Sequence, residues 1–318
     1  MRIFITGASG FVGGAAARYF AQNHDVLAMS RSEKSDAAIN QSGAKPVRCA
    51  LGDVTPEQLE GVDAIIHAAA KVEPWGPWDD FWRLNVGGTK QLLEVARDAG
   101  VKTFVHIGTE ASVFHGQDMR NIDESEPLAL RSPYPYSRTK AHAEKAVLEA
   151  SAPGFRALSV RPRMVWGPGD ATILPIVLEM IAKGRFMWVD GGRALTSTTH
   201  ITNLVHGIDL ALQNGKGGEA YFITDDGTRS LRDFFTALTQ TAGVTPPDKS
   251  VPGWLASTLA LTLESTWRAL RLPGEPPLIR ISAAMMRREG TINIAKARRE
   301  LGYAPLISVE NGLAALGS

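Results

Sequence analysis

The sequence predicts an α/β fold, a doubly wound parallel sheet with a smaller, mostly helical lobe added towards the C-terminus. Three observations carry this. Through residue 165, short β-branched or apolar runs alternate with longer segments whose apolar residues recur every three or four positions, the rhythm of strands joined by crossover helices. Glycines three apart follow the first apolar run directly. After Gly167-Pro168-Gly169 the alternation loosens, Pro and Gly become denser and helical patterns dominate.

In chain order, strands are predicted at residues 2–6, 25–30, 46–50, 63–68, 102–108 and 155–165, and helices at 11–23, 79–99 and 136–152. The unbroken apolar run Ala64-Ile65-Ile66 implies a strand covered on both faces. A first unit is expected over residues 1–168 and a second over 169–318. A segment near 196–224 is expected to return to the first sheet, because Tyr221-Phe222-Ile223 reads as another buried strand. Helices at 230–242 and 254–270 belong to the second unit. In the latter, Leu255, Leu259, Leu263, Trp267 and Leu270 form one stripe, expected to pack on the small lobe or cover an oily substrate, with contact to a membrane surface the lesser alternative.

Composition narrows the function classes. The chain has 318 residues, 44% of them hydrophobic and 21% charged, the values of an ordinary globular enzyme. Thirty-four Lys and Arg balance 33 Asp and Glu, so no global field favours nucleic acid or an anionic membrane. The single cysteine, Cys49, rules out an internal disulfide, suits a reducing, cytoplasmic compartment and reads as core. No targeting leader is expected, since the apolar run at 3–5 is too short for a signal-peptide core. No metal is expected either: the seven histidines show no zinc-type i, i+4 pair and the lone cysteine offers no thiolate partner.

The chemistry-bearing motif comes first in the chain. Thr6-Gly7-Ala8-Ser9-Gly10-Phe11-Val12-Gly13 lies between a predicted strand and a predicted helix. Gly7 permits the tight turn, Gly10 lets backbone approach a pyrophosphate, and Gly13 lets the helix pack closely on the strand. Gly7, Ser9, Gly10, Phe11, Val12 and Gly13 are therefore the expected dinucleotide cradle. The second strand ends Met29-Ser30-Arg31-Ser32 with no carboxylate at its tip. Ser30 and Arg31 offer a hydroxyl and a bidentate fork, as a 2′-phosphate requires, so NADP(H) is expected over NAD(H) although Glu33 is close.

Hydride transfer to a carbonyl also needs an acid. Of five tyrosines only Tyr136 has a lysine four residues on, at Lys140. One helical turn stacks that ammonium against the phenol, where its charge favours phenolate. The pair follows the fifth strand, whose end Gly108-Thr109-Glu110-Ala111-Ser112 presents hydroxyls at the carboxyl edge of the sheet, where ligands bind.

These residues resemble the extended short-chain dehydrogenase/reductases over nearly the whole chain. Besides the glycine motif and Tyr136-Ser137-Arg138-Thr139-Lys140, the resemblance takes in Gly52-Asp53-Val54, His67-Ala68-Ala69-Ala70, Asn85-Val86-Gly87-Gly88-Thr89 and the segment from Arg161 to Asp170. Trp75-Gly76 and that last segment look most like the 3β-hydroxysteroid dehydrogenase and 2-alkyl-3-oxoalkanoate reductase branch. The resemblance implies a Rossmann-type sheet with a C-terminal substrate lobe. It places Asp53 and Val54 at the adenine, Ala68, Ala69 and Ala70 beside the cofactor ribose, Asn85 at a helix irregularity or water near Lys140, and Pro162 and Val165 at the nicotinamide. Lys140 should bind the nicotinamide ribose. A homodimer through the 79–99 and 136–152 helices follows from the resemblance as well.

One departure matters: counting back from Phe114, as the family pattern directs, lands on Glu110. Thr109 is therefore the chosen catalytic hydroxyl and Ser112 the reserve, while Glu110 reads as a hydrogen-bonded carboxylate before a second acid-base group. Trp75, with Trp78 and Trp82, is a candidate wall of an apolar substrate pocket, joined by Ser112, Arg163 and Met164. The expected activity is NADP-dependent interconversion of a ketone and a secondary alcohol on a fairly apolar small molecule. A sugar-nucleotide epimerase or dehydratase and a non-catalytic dinucleotide sensor are the alternatives, although Thr109-Glu110-Ala111 lacks the dehydratase branch's two carboxylates.

Overall fold

A computed structural model describes residues 1–73 and 75–317. The strands β1 (Arg2–Thr6), β2 (Asp25–Ser30), β3 (Lys45–Arg48), β4 (Ala64–His67), β5 (Thr103–Ile107), β6 (Met119–Ile122) and β7 (Arg156–Pro162) occupy the first half of the chain. Between them run α1 (Phe11–Phe20), α2 (Glu33–Gln41), α3 (Trp78–Phe81), α4 (Gly88–Asp98) and α5 (Pro135–Glu149). The main sheet has seven parallel strands: Ala220–Ile223, then β7, β5, β4, β1, β2 and β3. Strand order reverses between β1 and β4, which opens a crevice at their carboxyl ends.

Alternation along β1 divides the core. Ile3 and Ile5 join Ala16 and Ala17 of α1 and Leu204 and Ile208 of the Ile201–Asn214 helix on one face. Phe4 joins Leu92, Leu93 and Ala96 of α4 and Val147 of α5 on the other. Full burial of each such side chain contributes roughly 1.5–3 kcal/mol, and covering both faces explains the unbroken apolar strands. Cys49 is half-buried beside the second cluster, and burial pushes its thiol up to about 11.

Two predicted elements are broken. The 155–165 strand stops at Pro162; Met164 adopts φ +43°, and Val165–Trp166 pairs with Thr199–His200 instead. The 79–99 helix is split by a π-helical stretch at Trp82–Gly87. Within it the Asn85 side chain accepts from the Lys71 N–H (2.7 Å) and donates to the Lys71 carbonyl and the Thr139 hydroxyl, an anchorage that a regular helix would rotate away.

Beyond Pro162 a four-stranded sheet sets Arg229–Ser230, Leu195–Thr196, Gly290–Ile292 and β6 side by side, above a cluster holding Trp166, Phe186, Trp188 and Phe234. Asp170 closes the start of the Leu174–Ala182 helix by accepting from the backbone N–H of Thr172, Ile173 and Leu174. The Gly253–Ala269 helix corrects the predicted stripe. It buries Gly253, Ala256, Ala260 and Glu264, leaves Leu263 and Trp267 half-buried, and exposes Leu255, Leu259 and Leu270. Small residues allow close approach to the Arg280–Arg287 helix, whose first N–H is taken by Glu264 Oε1 at 2.6 Å. No described helix is long and apolar enough to cross a membrane.

Candidate active site

The glycine turn forms at the carboxyl end of β1. Gly7 has φ +74°, and its carbonyl accepts from the Gly10 N–H at 2.9 Å. A Cβ on Gly7 would lie 2.8 Å from the backbone nitrogen of Ala69, and one on Gly13 would lie 2.3 Å from the Gly7 carbonyl oxygen. Gly7 thus serves both the turn and the approach of the Ala68–Ala69 backbone, while Gly13 seats α1 on the turn. Thr6 Oγ1 accepts from the Ala69 N–H (3.0 Å) and bonds His67 Nδ1 (2.7 Å), tying the strand ends together. Gly10 is the N-cap of α1 without a side-chain cap, so the first-turn N–H groups face the crevice beside exposed Ser9 and half-buried Phe11 and Val12. These donors, with no Cβ in the way, fit the pyrophosphate of a dinucleotide.

At the end of β2 the arrangement differs from the expectation. Ser30 is buried, and its hydroxyl donates inward to Asp36 of α2 and to the Ser32 carbonyl, so it has no proton left for a phosphate. Asp36 in turn pairs with Arg48. Arg31 and Asp53 are exposed, and Val54 is buried with its carbonyl held by Gln91.

Thr109 stands where β5 leaves the sheet, in extended conformation (φ −168°, ψ 155°). Its Oγ1 accepts from the Ala111 N–H (3.2 Å) and donates to Glu110 Oε2 (2.7 Å), with the Tyr136 phenol nearby. Tyr136 lies in the first turn of α5. Burial, then the Glu110 carboxylate, raises its pKa above the ordinary phenol value, against the opposing influence of the nearby Thr109 hydroxyl. Lys140 is one turn on, but its ammonium donates to the Ile107 carbonyl (2.9 Å) and contacts His106 Nε2 (3.3 Å). Burial brings it down to about 8. The i, i+4 spacing puts both groups on one face of α5, with the ammonium hydrogen-bonded to the end of β5.

A cavity of about 240 Å³ opens over Tyr136, walled by Trp78, Pro133, Tyr134, Pro135, Ile279 and Ile281 and rimmed by Glu264, Arg268 and Arg280. Arg268 stacks 4.7 Å over Trp75, and Arg280 lies 5.8 Å over Tyr134. Trp75 is not part of the cavity wall; it donates to the Gly274 carbonyl at 3.1 Å, whereas Trp82 faces outward and packs edge-on to His142.

The model of the NAD dependent epimerase/dehydratase family matches residues 3–224. The chain belongs to this family. A ketoreductase of Stigmatella aurantiaca that acts on 4-hydroxy-2-methyl-3-oxo-4-farnesyl-3,4-dihydroquinoline-1-oxide is 41% identical, over 99% of this chain and 96% of that protein. A 2-alkyl-3-oxoalkanoate reductase of Stenotrophomonas maltophilia is 33% identical over 98% and 97%. The solved UDP-glucuronic acid 4-epimerase of Bacillus cereus, in complex with NAD, superposes with a TM-score of 0.76 at 19% identity, covering 99% of this chain and 97% of that one, and shares the fold. The chain is thus an oxidoreductase of the epimerase/dehydratase family, and its cofactor is a nicotinamide dinucleotide.

Within this family member three candidate pocket residues sit elsewhere. Ser112 is buried, with its hydroxyl donated to the Thr109 carbonyl (2.8 Å) and facing Glu144 (3.2 Å). Arg163 enters a buried ion pair with Glu110 (2.8 Å) in place of the cavity, because β7 ends one residue earlier and the chain turns under Gly290. Met164 packs with the Trp166 cluster. Pro162 is buried at the sheet edge and Val165 half-buried. From the sequence Glu264 and Arg268 read only as charges that interrupt an apolar helix, and Arg280 is not singled out, since charged residues on helices carry no pattern that assigns them to a cavity. Among the described residues no group of three or more His, Cys, Asp or Glu is placed to hold a metal ion.

Proposed function

We propose that this epimerase/dehydratase family member is an NADP-preferring ketoreductase acting on a fairly apolar ketone, with Tyr136 as the proton donor. The observation that carries the reading is Tyr136 itself, which lines a cavity with aromatic, proline and isoleucine walls and lies near Thr109 at the carboxyl edge of the sheet. Its raised pKa keeps the proton on at neutral pH, the state an acid needs. The glycine turn and the uncapped start of α1 would hold the pyrophosphate, Ala68 to Ala70 would flank the ribose, and Lys140 would bind the nicotinamide ribose. When bound, the reduced nicotinamide supplies hydride to the carbonyl carbon. Glu110, engaged by Arg163 and Thr109, is not free to serve a dehydratase reaction. NADPH absorbance followed across a panel of apolar ketones is the direct test. An isomerised product without net consumption would place the chain with the epimerases, and binding without turnover would make it a sensor.

The preference for NADPH rests on Arg31, an exposed guanidinium at the end of β2, while the nearby Asp36 is already neutralised by Arg48. Losing one charge-assisted bond to a phosphate corresponds to roughly 10- to 100-fold in affinity. Arg31→Asp is expected to lower kcat/KM with NADPH by that factor and to leave NADH nearly unchanged. A wild-type enzyme equally active with NADH refutes the preference. The single thiol accords with action in the cytoplasm. A homodimer through α4 and α5, which lie against each other, completes the reading. Light scattering at micromolar concentration should give twice the 34.2 kDa chain mass, and a monomer would remove this part.

A further inference from the structure

We infer that His106 is a positioning residue for the dinucleotide: its neutral ring holds the buried Lys140 ammonium in place and keeps it charged, so that one of the three ammonium protons is left for the nicotinamide ribose. The inference rests on the reading in which Lys140 binds that ribose.

Lys140 is buried without a counter-ion. It is 3% exposed and enters no ion pair among the described residues. Glu144, one helical turn on, is taken up by Arg161 and by the hydroxyls of Ser112 and Ser159. A buried charge is costly unless hydrogen bonds satisfy it. Among the described residues two acceptors do so, the Ile107 carbonyl at 2.9 Å and His106 Nε2 at 3.3 Å. They come from adjacent residues at the end of β5, and together they pin the ammonium at the carboxyl edge of the sheet.

The ring can accept at Nε2 only when it is neutral with its proton on Nδ1. His106 is 1% exposed, and that Nδ1 finds no partner among the described residues. A buried N–H without a partner is rare, and the ammonium on the opposite nitrogen accounts for it here. His67 on β4, its ring 5.3 Å away, offers no alternative acceptor. Thr89 gives its proton to the Asn85 carbonyl and so accepts from His67 Nε2, which leaves His67 Nδ1 to accept from Thr6. The groups around the His106 ring that can carry charge are thus Lys140 and Glu144 on α5 and His67 on β4. Ser159, its neighbour on β7, is bonded to Glu144.

Burial, then Lys140 and then His67, hold the His106 pKa well below the ordinary histidine value, so the ring stays an acceptor across the working pH range. Lys140 itself is brought down to about 8 with both acceptors in place. A bond from Nζ favours the charged amine, so removing His106 lowers this pKa further and the ammonium is lost at a lower pH.

The test reads Lys140 directly, by nuclear magnetic resonance of the unliganded protein isotopically labelled at lysine Cε, with the signal assigned by its loss in Lys140→Arg. In the wild type it should titrate near pH 8. His106→Leu should move the titration down by about one pH unit, and His106→Gln, whose side-chain carbonyl can accept from the ammonium, should restore most of it. His106→Phe, closer in shape and equally without an acceptor, is measured alongside in case the leucine variant does not fold. NADPH affinity, read by fluorescence titration, should fall about tenfold in these two variants at about pH 9 and change less than about twofold at about pH 6, where Lys140 is charged in every variant. An unmoved Lys140 titration in whichever variant folds overturns the inference, as does an affinity loss equal at both pH values. A titration that moves as expected while NADPH affinity ignores pH upholds the anchoring by His106 and overturns the Lys140–ribose contact instead, so the two failures are distinct.

Discussion

Tyr136→Phe should reduce ketone turnover by about 10²- to 10⁴-fold, the contribution of a positioned general acid. The loss should fall on kcat, because the ring that walls the cavity remains and only the oxygen is removed. NADPH affinity, read by fluorescence titration, should be little changed. The fold should tolerate the substitution, which removes only the phenol oxygen at the cavity wall. Turnover at the wild-type rate would mean that the proton comes from elsewhere.

Glu144→Ala should destabilise the protein by about 3–5 kcal/mol, measured by denaturant unfolding, because it strands a buried guanidinium. Glu144 is fully buried on α5, and its Oε1 accepts from Arg161 Nε of β7 at 2.8 Å. Oε2 faces the hydroxyls of Ser112 and Ser159, both at 3.2 Å. A Cβ on Gly108 would lie 2.9 Å from that oxygen, so the carboxylate sits against the backbone just before Thr109. The variant should therefore lose activity as well as stability. Glu144→Leu combined with Arg161→Met should recover most of the stability, as no charge remains unpaired. A single variant as stable as the wild type would mean that water reaches Arg161.

The sheet and the glycine turn were legible because their signals are local: a strand, a turn needing positive φ at Gly7, and a helix packed at Gly13 follow one another in the chain. Tyr136 and Lys140 were legible as a pair on one helical face. Where the ammonium goes was not, since it depends on the Ile107 carbonyl from a strand far away in sequence. The same limit hid both buried ion pairs. Glu110 meets Arg163 and Glu144 meets Arg161 only after β5, α5 and β7 are assembled, and nothing near any of the four residues announces its partner. Helix 254–270 was found but turned over, because periodicity located its leucines while the packing partner preferred Gly253, Ala256 and Ala260.

The threading of the chain through its two larger sheets limits how such a protein can be recombined. Ala220–Ile223 completes the large sheet after the chain has already left it, and β6, drawn from the first half, finds its partner in Gly290–Ile292 near the C-terminus. A cut at residue 168 would strip β7 of one neighbour and β6 of its only one among the described strands. The small lobe is therefore no cassette to be exchanged at a single junction; a chimaera with new substrate walls must carry several crossovers, with the strands left behind matched to those brought in.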